Sequence, residues 1–174
     1  MKQIVLTGAE STGKTTLSRA LANHFNCPWV EEYARSFLNQ TEGKYSLEDL
    51  DLIALKQYEL IEAQRHMEGD FFICDTDILT IYIWSLYKYD KVSKLITELA
   101  QQQRGDLYLV CQADLPWEKD PLREHPFERN DINNMYIRYL NKNKITHTEV
   151  NGLHFKRINT AISQIQSWLS AFST

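Results

Sequence analysis

The sequence predicts an α/β fold, with about five parallel strands in one sheet and helices on both faces. Three observations predict it. Strand-like and helix-like stretches alternate about five times along the chain, the pattern expected of a parallel sheet covered by helices on both faces. The apolar runs Phe71-Phe-Ile-Cys74 and Leu107-Tyr-Leu-Val-Cys111 read as buried strands. A glycine-marked turn, Gly8-Ala-Glu-Ser-Thr-Gly-Lys-Thr15, joins the first strand to the first helix.

The elements follow in order. Gln3-Ile-Val-Leu-Thr7 is the first strand. Lys14 to Phe25 carries Leu17, Ala20, Leu21 and Phe25 at helical spacing, and Pro28 stops it. Trp29-Val-Glu31 is a short strand candidate, and Glu32-Tyr-Ala-Arg35 begins a loop or helix after it. Ser46-Leu-Glu-Asp49 is a capping-box pattern opening a long helix, with Leu50, Ile53, Ala54, Leu60 and Ile61 recurring at helical spacing as far as Gly69. Asp70-Phe-Phe-Ile-Cys-Asp75 is a buried strand with a carboxylate at its end. Helices are expected from Asp77 to Tyr87 and from Lys91 to Gln103, and Asp106 to Cys111 repeats the strand pattern. A charged, proline-marked loop then runs from Gln112 to about Arg129, long enough to suggest function rather than simple connection. Asn130 to Lys142 reads as helix and Ile145 to Val150 as a weaker strand. Phe155 to Phe172 closes the chain as a helix with Ile158, Ala161, Ile162, Ile165, Trp168 and Leu169 on one face. With no linker, low-complexity tract or repeat to divide it, residues 1–174 are expected to form a single domain.

Composition narrows the function classes. Hydrophobic residues make up 43% and charged residues 24%, an ordinary globular mix. Nineteen Lys and Arg against 23 Asp and Glu give a charge of −4, so the chain has no general pull on nucleic acid or anionic lipid. The N-terminal stretch offers only three consecutive apolar residues before the glycine turn, and no later run approaches a membrane span. A cytoplasmic protein is expected, with neither nucleic acid nor membrane as partner. Cys27, Cys74 and Cys111 lack metal-ligand spacing and read as small core residues rather than disulfide partners.

The glycine turn matches G-x-x-x-x-G-K-[ST], which surrounds an anion with backbone N–H groups, aims a helix N-terminus at it, and adds a lysine for the terminal phosphates and a hydroxyl for magnesium. Gly8, Gly13, Lys14 and Thr15 fill the defining places, and Ala9, Glu10, Ser11, Thr12 and Thr16 complete the cradle. ATP and Mg2+ are therefore the expected cofactors. Besides the Thr15 hydroxyl the metal needs a further carboxylate, usually at the end of a neighbouring hydrophobic strand, and Asp75 after Phe71-Phe-Ile-Cys74 is the candidate. Asp75 and Asp77 flank Thr76 ahead of a helix, so one of them is also expected to cap it.

Further stretches narrow the use of the cradle. Glu10-Ser-Thr-Gly-Lys-Thr-Thr16, Val30-Glu-Glu-Tyr-Ala-Arg35, Asp75-Thr-Asp77 with Trp84-Ser-Leu-Tyr87, and Asp114-Leu-Pro-Trp-Glu-Lys-Asp120 with Leu122-Arg-Glu-His-Pro126 and Arg129 occur in this order. Together they resemble the NadR-type ribosylnicotinamide kinases from residue 3 to about 140. The resemblance implies the P-loop kinase fold and ATP-dependent phosphorylation of the ribose 5′-hydroxyl of nicotinamide riboside, giving nicotinamide mononucleotide for NAD salvage.

Phosphoryl transfer needs cations near the phosphates and an acceptor near the attacking hydroxyl. Arg123 and Arg129 are the cations expected on the loop from 112 to 129, acting as a lid that closes over ATP. Glu32 is expected at the ribose hydroxyl and Asp75 at the metal, although their roles are exchangeable on sequence alone. Tyr33, Trp84, Tyr87 and Trp117 are candidate faces for a flat cationic ring, with Trp117 the favoured contact and Trp84 and Tyr87 open to a core reading instead. Arg35 and Asp77 complete the substrate-side candidates. A kinase for another nucleoside would share the cradle, Asp75 and the arginines. An ATP-binding or ATPase regulatory module would have no need of the full set of catalytic charges.

Overall fold

The computed structural model describes residues 1–171. Its elements are β1 (Lys2–Thr7), α1 (Lys14–Phe25), β2 (Trp29–Val30), α2 (Tyr33–Gln40), α3 (Leu47–Arg65), β3 (Phe71–Asp75), α4 (Ile78–Tyr89), α5 (Lys94–Gln102), β4 (Leu107–Cys111), α6 (Arg129–Lys142), β5 (His147–Val150) and α7 (His154–Ser170). The five strands form one sheet in the order β2-β3-β1-β4-β5, and every neighbouring pair is parallel.

The alternation of side chains along each strand divides the core into two layers. Ile4, Leu6, Ile73, Leu107 and Leu109 face α1 and α7 and meet Leu17, Leu21, Ala161 and Ile165. Val5, Phe72, Cys74, Tyr108 and Val110 face the other way, against Ile61 of α3, Leu79 and Ile83 of α4, and Ile132, Tyr136 and Leu140 of α6. Each fully buried Leu, Ile or Phe contributes about 1.5 to 3 kcal/mol relative to exposure. A third cluster, built from Ala34, Leu50, Ile53, Ile78, Ile81, Ile96 and Leu99, joins α2, α3, α4 and α5.

The P-loop kinase fold expected from the sequence is the fold found, with differences at element ends. β2 stops at Val30 and excludes Glu31, its pairing with β3 covering Trp29 and Val30. The stretch after Glu32 is helix rather than loop. The capping box forms, with Ser46 Oγ accepting from Asp49 N at 3.3 Å and Asp49 Oδ2 accepting from Ser46 N at 2.8 Å. α5 begins at Lys94 instead of Lys91 because Ser93 caps it, its Oγ accepting from Ile96 N at 3.1 Å. Asp106 lies outside β4, its Oδ2 accepting from Gln3 N at 2.6 Å. Phe172, expected at the end of the last helix, lies outside the described residues. All three cysteines are free, with Cys74 and Cys111 fully buried. Among the described residues no helix is long and apolar enough to cross a membrane.

Because all strands run the same way, their carboxyl ends share one edge, where α/β sheets form ligand crevices. Leu6 lies opposite Asp75, and Thr7 opposite Val110. The segments that follow β1, β2, β3 and β4 therefore converge.

Candidate active site

The turn after β1 depends on its glycines. Gly8 has φ +128°, and a side chain there would place Cβ 2.6 Å from the Cys111 carbonyl oxygen. Gly13, at φ +75°, caps α1. Lys14 Nζ donates to the carbonyls of Gly8 at 3.0 Å and Ala9 at 2.8 Å, which holds the ammonium across the turn. The first turn of α1 contains no acidic residue of its own, and its positive end faces the cradle.

Two side chains not singled out in the sequence brace this turn. Asn133 of α6, 2% exposed, accepts from Ala9 N at 2.7 Å and donates to the Cys111 carbonyl at 3.0 Å, tying the turn to the end of β4. Arg157 of α7, 4% exposed, donates through Nη2 to the carbonyls of Thr12 at 2.9 Å and Gln112 at 2.8 Å. Its Nη1 donates to Asp114 Oδ1 at 2.6 Å and to the Gly152 carbonyl at 3.0 Å. Burial alone would raise the Asp114 carboxyl, but the Gly152 amide and Arg157 outweigh it and hold the group below the usual carboxylate range. A sequence signal existed for both: each is a polar residue in register with a helix's buried positions, Asn133 with Ile132, Tyr136 and Leu140, and Arg157 with Ala161 and Ile165.

The three expected carboxylates have different surroundings. Asp75 is 1% exposed and its Oδ1 has no hydrogen-bond partner. Burial raises its pKa, opposed by the Thr15 hydroxyl and by the charge of Lys14. An unpartnered buried oxygen beside a hydroxyl fits Mg2+, which takes one or two protein oxygens and otherwise keeps water and phosphate. No group of three or more His, Cys, Asp and Glu among the described residues could hold a metal by itself. Glu32 is partly buried and makes no side-chain cap bond to α2, although it occupies the N-cap position. Burial, then the Asp75 charge, push its carboxyl up to about 7 against the pull of Lys14, Arg35 and Thr76. Asp77, by contrast, is engaged within the core. It caps α4 by accepting from Leu79 N at 3.0 Å, and it also accepts from the Tyr108 hydroxyl.

A cavity of about 570 Å³ takes in the whole turn from Gly8 to Thr16 together with Glu32, Arg35, Trp84, Tyr87 and Arg123. Leu153, His154 and Ile158 also line it. Tyr33, Asp75, Asp77, Trp117 and Arg129 are not among the residues lining it. Tyr33 packs in the third cluster, its amide donating to Gln57 Oε1 at 2.8 Å. Trp117, the favoured aromatic contact, instead lies 5.7 Å from the Arg129 guanidinium. Trp84 meets Tyr45 edge-on with ring centres 4.6 Å apart, and its Nε1 donates to the Tyr45 hydroxyl at 2.8 Å.

The segment from 112 to 129 lies against the turn. Ser11 Oγ accepts from Glu118 N at 2.9 Å and from Arg123 Nη1 at 3.2 Å. Arg129 Nη1 donates to the carbonyls of Ser11 at 3.3 Å and Leu115 at 2.9 Å. Arg35 grips Asp120 through both terminal nitrogens at 3.1 Å.

The family model AAA_28, described as an AAA domain, matches residues 3–157. The trifunctional NAD biosynthesis/regulator proteins NadR of Salmonella typhimurium and Escherichia coli are each 27% identical over 156 residues, 86% of this chain and 38% of theirs. The chain thus spans under two fifths of the length of these curated relatives. A crystal structure of NadR in complex with NR matches with a TM-score of 0.80 and 21% identity, over 95% of this chain and 50% of that one. Thymidylate kinase from Ehrlichia chaffeensis matches with a TM-score of 0.70 and 18% identity, over 97% and 98%. These structures share the fold, and the NadR sequences are the relatives that the motifs resemble.

Proposed function

The chain belongs to the AAA_28 family of AAA domains, and from that premise we propose an ATP-dependent kinase that phosphorylates the ribose 5′-hydroxyl of nicotinamide riboside to give nicotinamide mononucleotide. ATP and Mg2+ are its cofactors and the cytoplasm its place. Support comes above all from one juxtaposition: the phosphate-type turn, Lys14, Glu32 and the Trp84–Tyr87 face line a common cavity.

The chemistry follows from these positions. The γ-phosphoryl group leaves the ADP oxygen as the ribose oxygen forms its bond to phosphorus, and charge spreads over the transferring oxygens. Backbone N–H groups of residues 8–14 and the Lys14 ammonium hold the phosphates. Arg123, which lines the cavity, supplies a guanidinium to the same charge, and Arg129 holds the lid against the turn through Ser11 and Leu115. Thr15 and Asp75 would hold Mg2+, which would supply charge neutralisation to the phosphates. Glu32, with a carboxyl held at about 7, accepts the hydroxyl proton and returns it to solvent. Trp84 and Tyr87 offer π faces to the cationic nicotinamide ring, worth about 0.5 to 2 kcal/mol.

The match to NadR in complex with NR supports this substrate. A second reading, a kinase for a neutral nucleoside, is favoured by the likeness to deoxyadenosine kinase from M. mycoides, with a TM-score of 0.67. Release of ADP from Mg-ATP, measured with nicotinamide riboside, its reduced neutral analogue, uridine, cytidine and adenosine, decides between them. Nicotinamide riboside is expected to give the highest kcat/KM. Preference for a neutral nucleoside would overturn the substrate, and no turnover with any of them would overturn the kinase.

A further inference from the structure

A carboxylate at Glu10 works against the turn in which it sits. The turn gathers N–H groups and Lys14 to hold phosphates, and an acidic side chain among them adds charge of the wrong sign. The structure gives this carboxylate a different use. Glu10 Oε2 accepts from the backbone N–H groups of both Glu124, at 2.9 Å, and His125, at 3.0 Å. Bonds from N–H groups to an ionised oxygen are stronger than those between neutral groups.

Both donors follow directly on Arg123, whose Nη1 reaches Ser11 Oγ at 3.2 Å. The same two residues also reach the wall of the cavity. The Glu124 carboxylate accepts from Lys88 Nζ at 2.9 Å and from the Tyr45 hydroxyl at 2.9 Å. The His125 ring meets Tyr87 edge-on with centres 4.8 Å apart. Lys88 and Tyr87 belong to α4, the helix that carries Trp84.

We propose that Glu10 is a positioning residue for the lid: it pins the Glu124–His125 backbone to the phosphate turn, and so holds Arg123 over the turn while tying it to the aromatic wall of α4. The part played by Arg123 rests on the kinase reading, whereas the pin does not. Because one oxygen receives both donors, a glutamine carbonyl in its place retains the two bonds, and an alanine loses both.

Two measurements on the full chain test this. In amide hydrogen exchange, Glu10→Ala should speed exchange at Glu124 and His125 by about tenfold or more, and Glu10→Gln should recover most of the protection. Unchanged exchange in the β1 and β4 amides reports that each variant is folded. In steady-state kinetics, Glu10→Ala and Arg123→Ala should each lower kcat more than they raise KM for ATP. The double variant should lose no more than about twofold beyond Arg123→Ala alone, since one residue acts through the other. Unaltered exchange in Glu10→Ala would overturn the pin, and losses that multiply in the double variant would overturn the link to Arg123. If the wild type transfers no phosphoryl group, the kinase reading fails and the exchange measurement still decides the pin.

Discussion

Glu32 and Asp75 act on one another: the charge of Asp75 adds to burial in raising the Glu32 carboxyl to about 7. Asp75 is itself raised by burial, with Thr15 and Lys14 opposing. Two carboxyls so close resist holding full charge together. The one beside Thr15, with an unpartnered oxygen, suits a cation, and the one lining the cavity suits a proton.

With Glu32 as base, kcat/KM should rise with pH and level off above about 7. Glu32→Gln should lower kcat by roughly 10²- to 10⁴-fold and remove that rise. Rates measured from about pH 5.5 to 9 check this; a Glu32→Gln profile with the same acid limb would assign it to another group.

Asp75→Asn should weaken the response to magnesium much more than the binding of nucleotide, because the buried oxygen left unpartnered by the protein loses its charge. Magnesium titrations of turnover, set beside binding of an ATP analogue without metal, separate the two. Superimposable titration curves for wild type and variant would remove Asp75 from the metal site.

Asp77 makes stability depend on pH. Its carboxyl is 1% exposed and raised by burial from an ordinary 3.8 to about 7, with Tyr108 and backbone amides pulling the other way. Between these values the folded chain holds a proton that the unfolded chain has released, so stability falls as pH rises through the window. Glu32, raised from 4.5 to about 7, acts in the same direction. Asp77→Asn should flatten the decline seen in urea midpoints between about pH 5 and 7.5. An unaltered slope would show that Asp77 does not titrate there.

Asn133→Ala removes the partner of two buried backbone groups, the Ala9 amide and the Cys111 carbonyl. At roughly 1 to 3 kcal/mol for each unsatisfied group, a loss of about 3 kcal/mol is expected in urea unfolding. A loss under about 1 kcal/mol would mean that the turn finds other partners.

Trp84→Leu should reduce kcat/KM for nicotinamide riboside, relative to its neutral reduced analogue, by about a few-fold to thirtyfold, the span of 0.5 to 2 kcal/mol. Trp117→Leu should change that ratio less. Sequence alone favours the opposite order, since a loop tryptophan has little reason to be core. The structure shifts the weight because Trp84 lines the cavity and Trp117 lies against Arg129. An equal ratio in wild type and Trp84→Leu would remove the ring from cation recognition.

What was legible was what lies close together in the chain. The strand, turn and helix from Gln3 to Phe25 announce themselves by local pattern, as do Asp75 at a strand end and the Ser46 capping box. Asn133 and Arg157 were not found because their partners lie far away in sequence: Asn133 bonds Ala9, 124 residues distant, and Arg157 bonds Thr12, 145 distant. The position of Trp117 depends on how the loop from 112 to 129 packs, and that of Trp84 on its contact with the distant Tyr45, neither of which helical or strand spacing encodes. Glu32 was legible as a strand-end carboxylate, but its raised pKa needed the proximity of Asp75.

The brace made by Arg157 orders events during synthesis. The phosphate turn leaves the ribosome well ahead of α7, yet the guanidinium that clamps Thr12 and Gln112 arrives only with that helix. β1 likewise waits for β3 and β4 to flank it. A nascent chain stalled before residue 157 would carry the full phosphate-binding motif without its clamp, so the ability to hold nucleotide should emerge late in translation rather than with the motif that encodes it.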